Sequence, residues 1–201
     1  MVRLTRIYTR HGDGGDTHLG DMSRTRKTDP RVVAFGDVDE LNSVIGVARA
    51  QGVDPAIDDW LATIQNDLFD LGADLCRPPG GDDSALRIVA PQVERLERWC
   101  DAINDDLPSL TSFVLPAGSP SAAALHLARA VCRRAERSAV ALSDVDSASV
   151  EAIRYLNRLS DLLFILARAA NQTAAPDGSG APGDVLWVPG LGRPDSEGPS
   201  K

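Results

Sequence analysis

From Ile57 to Leu75 the apolar positions Ile57, Leu61, Ile64, Leu68, Leu71 and Leu75 recur at alternating spacings of four and three. That period is one face of an α-helix and the seam of a helical bundle. Asp54 followed by Pro55 supplies an N-cap and a first-turn proline, so the helix is expected to start there. Upstream, Val38, Leu41, Ile45 and Ala48 form another stripe, in a helix expected from Pro30-Arg31 to Gln51. Asp37 and Glu40 mimic a capping box, which admits a break near Gly36. A third helix is predicted from Pro91, with Val93, Leu96, Cys100 and Ile103 inward. Ser119-Pro120 caps a fourth. Within it, Leu127, Ala128, Val131 and Ala135 fall on one side, with Cys132 at the edge. A last helix, about Ser149 to Asn171, is apolar nearly all round and should be the most buried.

The connections read as loops. Arg77 to Ala90 holds Pro-Pro-Gly-Gly, and Pro108 to Pro120 holds Phe113-Val114-Leu115-Pro116-Ala117-Gly118. Residues 1–30 have no helical period and are rich in glycine and polar residues. Residues 172–201 are rich in proline and glycine and read as a flexible tail, within which Val185-Leu186-Trp187-Val188 is a candidate docking element. The expected architecture is all-α. It comprises a single domain, 1–171, with a Gly-rich N-terminal arm (1–30) and a five-helix bundle (31–171), and then a disordered C-terminal tail (172–201).

Composition narrows this picture. At 201 residues and 43 % apolar, the chain can bury one sizeable core. A net charge of −8 argues against nucleic acid and anionic membranes as partners. No apolar run is long enough to span a bilayer, and MVRLTRIYTR lacks a signal-peptide core, so a cytoplasmic location is expected. Cys76, Cys100 and Cys132 show no CxxC or Cys/His spacing and read as free thiols. His11, His18 and His126 lack metal-ligand spacing, and there is no ExxH, so no protein metal site is expected. No GxSxG or Cys/His pairing suggests a protein nucleophile.

The basic residues are placed unevenly. Arg129, Arg133 and Arg137 stand at i, i+4 and i+8, beside Glu136. Like charges at that spacing cost a few tenths of a kcal/mol, roughly 0.2–0.5 per pair. One reading is a solvated face in which Arg133 and Arg137 lean on Glu136. The other is an anion site, because guanidinium forks match phosphate and carboxylate. The arm, Thr9 to Gly20, carries glycines whose N–H groups can form an anion nest, with Arg10, Thr17, Arg24, Arg26 and Lys27 around it, although it is not a Walker A loop. Asn157, on the stripe of Ile153, Ser160 and Phe164, reads as a buried amide. It needs either a neighbouring helix or a ligand for its hydrogen bonds. Asp39 stands near a helix start, where the dipole favours a carboxylate. These features point to a helical bundle that binds a polyphosphate, and they leave its reaction open.

Five segments together resemble the PduO-type ATP:cob(I)alamin adenosyltransferases. They are Ile7-Tyr8-Thr9-Arg10-His11-Gly12-Asp13-Gly14-Gly15-Asp16-Thr17; Asp29-Pro30-Arg31-Val32 with Gly36-Asp37-Val38-Asp39-Glu40-Leu41-Asn42-Ser43-Val44-Ile45-Gly46; Phe113-Val114-Leu115-Pro116 with Gly118; Arg129 to Arg137; and Tyr155 to Phe164. They follow the family's order over about residues 7–170. The resemblance implies a homotrimer with ATP between subunits, and transfer of the 5′-deoxyadenosyl group of ATP to cob(I)alamin with release of triphosphate. Magnesium would ride on the nucleotide. Carried over by motif, Thr9, Arg10, His11, Gly12, Thr17, His18 and Lys27 would line ATP from the arm, with His11 and His18 at positions that vary in the family. Arg133, Arg134, Glu136, Arg137 and Asn157 would meet ATP from the helices, with Arg133, Asn157 and Phe113 nearest the chemistry. Phe113 would lie under the corrin ring, and Asp39 would pair with Arg129 across the subunit interface. A cobalamin reductase and an adenosylcobalamin-dependent mutase are the partners such an enzyme would serve. The alternative is a non-catalytic, ATP-gated carrier that delivers adenosylcobalamin to a mutase.

Overall fold

The computed structural model describes residues 8, 10–78, 86–172 and 183–191. Five helices make the body: α1 (Pro30–Ala50), α2 (Pro55–Cys76), α3 (Ala90–Asn104), α4 (Pro120–Val145) and α5 (Val150–Gln172). A short ribbon precedes them, in which β1 (Asp16–His18) pairs antiparallel with β2 (Arg24–Arg26), Thr17 opposite Thr25. The arm has no helical period because it is partly this ribbon.

The helix starts are set by side chains. Asp29, Asp54 and Ser119 accept from Arg31 N, Ala56 N and Ala122 N, and each is followed by a proline in the first turn. Helix α1 is unbroken through Gly36. Asp37 and Glu40 do not cap; they face α4, where Ser138 Oγ donates to Asp37 at 2.6 Å and Arg134 pairs with both acids. All six positions of the α2 seam are buried.

Helix α4 packs on α1 and α5, α2 on α1, and α3 on α5. In α4 the buried stripe holds Leu125, Ala128, Val131, Cys132, Ala135 and Ala139, and small residues there let its neighbours approach closely. Leu127, expected inward, is 54 % exposed. The apolar arc is centred nearer Ala135, so Leu127 falls off its edge. Helix α5 buries Tyr155, Leu156, Leu159, Leu162, Leu163 and Leu166, and truncating one of these leucines costs about 2–5 kcal/mol. Arg31, 2 % exposed, ties the helix ends together: it donates to Leu75 O, Arg77 O and Ser147 O and pairs with Asp146 at 2.6 Å.

The tail is not uniform. Residues 183–191 lie along the loop after α3. Leu115 N donates to Val185 O, Trp187 N to Phe113 O, and Ser112 Oγ to Trp187 O. The expectation of one free tail over 172–201 is therefore corrected for this segment, where the Val185–Val188 docking element is present. An apolar cluster beside an open loop edge finds backbone partners there. Among the described residues no helix is long and apolar enough to cross a membrane.

Candidate active site

Helix α4 carries the basic groups on a rigid rod, and a four-residue step moves a side chain about 6 Å along it. Arg133 and Arg137 are exposed and line a groove of about 360 Å³ with Glu136, Val140 and Asp144. Arg137 Nη1 donates to Arg133 O at 2.9 Å. The Arg133 guanidinium makes no hydrogen bond or ion pair among the described residues. Glu136 does not draw the two arginines together; its Oε1 accepts from Asn157 Nδ2 at 2.9 Å. The solvated-pair reading of this face is thus not the arrangement seen. Arg134 is turned away from the groove and held by Glu40 and Asp37.

Asn157 is exposed, which corrects its reading as a buried amide. The α5 stripe turns enough between Ile153 and Ser160 to put Asn157 at the edge shared with α4. The buried asparagine of α5 is Asn171, 5 % exposed. It accepts from Ser119 N at 2.9 Å and donates to Ala117 O at 3.1 Å.

One turn back along α4 from Arg133, Arg129 enters a second groove, of about 760 Å³, lined also by Ser112, Phe113, Phe164, Trp187 and Pro189. Phe113 is 76 % exposed and meets Trp187 edge-on, with ring centroids 5.9 Å apart. Two loop aromatics facing open space are a binding surface for a flat apolar body. Arg129 Nε is buried and has no hydrogen-bond partner among the described residues. Asp39, on the exposed face of α1, has no ion pair with it or with any other described residue of the chain.

The arm residues fall in a separate group. Lys27 N donates to Gly15 O, and the Lys27 side chain lies over Gly12. Thr17 is half-buried in the ribbon, while His11 and His18 are exposed. Arg10 has φ +63°, unusual for a side-chain-bearing residue and common at binding loops. Gly20 N donates to Cys76 O, which fixes the ribbon to the end of α2. Thr9 lies outside the described residues. Within one chain the arm is thus built against α2, and the arginine groove is on α4. Among the described residues no three His, Cys, Asp or Glu side chains converge as metal ligands do.

The cysteines carry no disulfide. Cys132 Sγ donates to Leu156 O, and burial pushes its thiol far above the ordinary range; burial raises Cys100 to about 11. Neither is a ready nucleophile.

The bundle presents an arginine groove and an aromatic groove along one helix, a surface suited to an anion beside a flat ring. The chain belongs to the cobalamin adenosyltransferase family, whose model matches residues 7–170. It is 57 % identical over 197 residues to a corrinoid adenosyltransferase of Mycobacterium tuberculosis, spanning 96 % of this chain and 97 % of that protein. It is 42 % identical over 170 residues to a corrinoid adenosyltransferase of Bacillus subtilis, spanning 83 % and 86 %. Among solved structures, a variant PduO-type ATP:corrinoid adenosyltransferase from Lactobacillus reuteri, complexed with cobalamin and ATP, is similar with a TM-score of 0.80. That match has 35 % identity and covers 90 % of this chain and 99 % of the other.

Three residues that tie the Phe113 loop to α5 and to the 183–191 segment escaped the sequence reading: Arg168, Asn171 and Asp184. The signals were a lone cation and an asparagine at the end of an otherwise apolar helix.

Proposed function

We propose that this chain transfers the 5′-deoxyadenosyl group of ATP to cob(I)alamin, giving adenosylcobalamin and triphosphate. The observation that carries the reading is the spacing on α4, where Arg129 enters the aromatic groove and Arg133 and Arg137 follow one and two turns later. A corrin against Phe113 and a triphosphate along the arginines would bring cobalt and C5′ together between them.

Co(I) holds an electron pair and attacks C5′ directly. That pair becomes the cobalt–carbon bond, and the C5′–oxygen pair leaves with triphosphate. The protein needs no nucleophile of its own. It must align the two centres and hold the charge on the leaving group, which Arg133 and Arg137 do through charge-assisted bonds. Glu136 lines the same groove, Asn157 is bonded to it from α5, and the two orient the nucleotide. Thr9, Arg10, His11, Gly12, Thr17, His18 and Lys27 close over the phosphates from the arm of a neighbouring subunit, and Arg134 supports them from its pairing with α1. Magnesium would neutralise phosphate charge and be held chiefly by the nucleotide; Glu136 and Asp144 are the carboxylates that line the groove.

Assembly as a homotrimer supplies the second half of each nucleotide site, with Asp39 of one subunit paired to Arg129 of the next. Among the described residues Arg129 Nε has no hydrogen-bond partner and Asp39 no ion pair, which supports this arrangement. The enzyme works in the cytoplasm with a cobalamin reductase and delivers its product to a mutase. The test is an anaerobic incubation of the protein with chemically reduced cobalamin, ATP and magnesium. The Co(I) spectrum should give way to that of adenosylcobalamin. Binding of both ligands without conversion would favour the carrier role instead.

A further inference from the structure

The loop that bears Phe113 has no helix of its own to hold it, and Phe113 is 76 % exposed. Its position is nevertheless fixed, and the fixing comes from α5. Arg168 is a cation inside the run Leu166-Ala167-Arg168-Ala169-Ala170, yet it is 4 % exposed. Its Nη2 donates to Pro108 O at 2.6 Å, at the start of the loop. Its Nε pairs with Asp184 Oδ2 at 2.8 Å, and both side chains are at most 6 % exposed. Asp184 begins the segment whose backbone carries Phe113: Val185 O accepts from Leu115 N, and Trp187 N donates to Phe113 O. One guanidinium therefore holds both strands of the small ladder on which Phe113 stands.

A buried ion pair is costly to desolvate and is a poor device for stability alone. Its use here is geometric, because a planar fork fixes two partners at set directions where an apolar side chain would fix neither. We propose that Arg168 is a positioning residue of the corrin site: through Asp184 and the Pro108 carbonyl it sets where the Phe113 ring stands. The proposal rests on the reading that Phe113 faces the corrin's lower side.

Phe113 in place excludes water from the lower axial position of Co(II). Without that ligand the metal is easier to reduce, so the ring matters for the reduction and little for the attack by Co(I). Loosening the ladder should reproduce this selectivity. The experiment compares Phe113→Ala, Arg168→Lys and Asp184→Asn in the full chain, each with two starting points: Co(II) with a reductant, and pre-reduced Co(I). The electron paramagnetic resonance signal of bound Co(II) with ATP reports the four-coordinate fraction. Asp184→Asn keeps a hydrogen-bond acceptor and the Pro108 bond, so it should fold with unchanged helix content even where Arg168→Lys does not. The expected result is at least a fivefold loss from Co(II) in the Arg168 and Asp184 variants and a reduced four-coordinate signal. The rate from Co(I) and the KM for ATP should stay within twofold. Equal loss from both starting points, or no loss where Phe113→Ala shows one, would overturn the positioning role. If Phe113→Ala itself does not separate the two reactions, the role of Phe113 fails and the proposal with it.

Discussion

The side-chain amide of Asn157 on α5 donates to Glu136 on α4, and Glu136 is the residue shared by the arginine groove and the neighbouring groove that Asn157 lines. Among the described residues the Arg133 guanidinium has no partner, which leaves it open to an anion. Arg133→Ala should therefore weaken ATP use at least tenfold, since a charge-assisted contact is worth about 1.5–3 kcal/mol. Helix content should not change, because Arg133 is exposed. Steady-state ATP kinetics and circular dichroism together check this.

Asp39 and Arg129 carry opposite charges and are paired neither with each other nor with another described residue. If they meet across subunits, removing either leaves a poorly solvated charge, a loss of roughly 3–5 kcal/mol for a buried pair. Arg129→Ala and Asp39→Ala should each impair assembly, and the double variant should be little worse than either single one. Sedimentation of all three, analysed as a cycle, measures the coupling.

Gly118 has φ +112°, and a Cβ there would overlap Asn171 Oδ1. Glycine is needed both for the backbone and for the approach of the asparagine that holds Ala117 and Ser119. Gly118→Ala should destabilise the fold by about 2 kcal/mol or more in urea unfolding.

His126 is 2 % exposed, packs against Phe164, and has no partner on either ring nitrogen among the described residues. Burial is the main cause that holds its pKa below 6.5; Arg129 lowers it further and Asp184 opposes. A depressed pKa means the neutral ring's stability is complete above 6.5 and is lost as pH falls through the folded value. Asp146, lowered from 3.8 chiefly by its hydrogen bond from Arg31, loses its contribution only at pH below that value. The melting temperature should thus begin to fall below about pH 6.5, and His126→Leu should remove that first step. A flat wild-type profile from pH 7 to 4.5 would contradict this role.

The helices were legible because period and caps agreed: the 4-3 seam of α2 and the Asp-Pro or Ser-Pro starts of three helices each have one physical reading. Arg129, Arg133 and Arg137 were legible as a group because like charges at helical spacing need a reason. Asn157 was misplaced because the apolar surround of α5 hides which edge meets α4. Arg168 and Asp184 were illegible as a pair, since nothing in a proline- and glycine-rich tail tells which acid returns to the bundle. The ribbon in the arm was missed for a related reason: two three-residue strands are too short to show a period.

The central claim is that Co(I) displaces an intact triphosphate from C5′ while the arginine groove holds the leaving charge. The most direct test is phosphorus NMR of the anaerobic reaction, run alongside the corrin spectrum. One triphosphate should appear for each adenosylcobalamin formed, with no diphosphate or free phosphate ahead of it, and Arg133→Ala should slow both products equally. Adenosylcobalamin formed with diphosphate or phosphate as the first product, or nucleotide cleavage without adenosylcobalamin, would contradict the account.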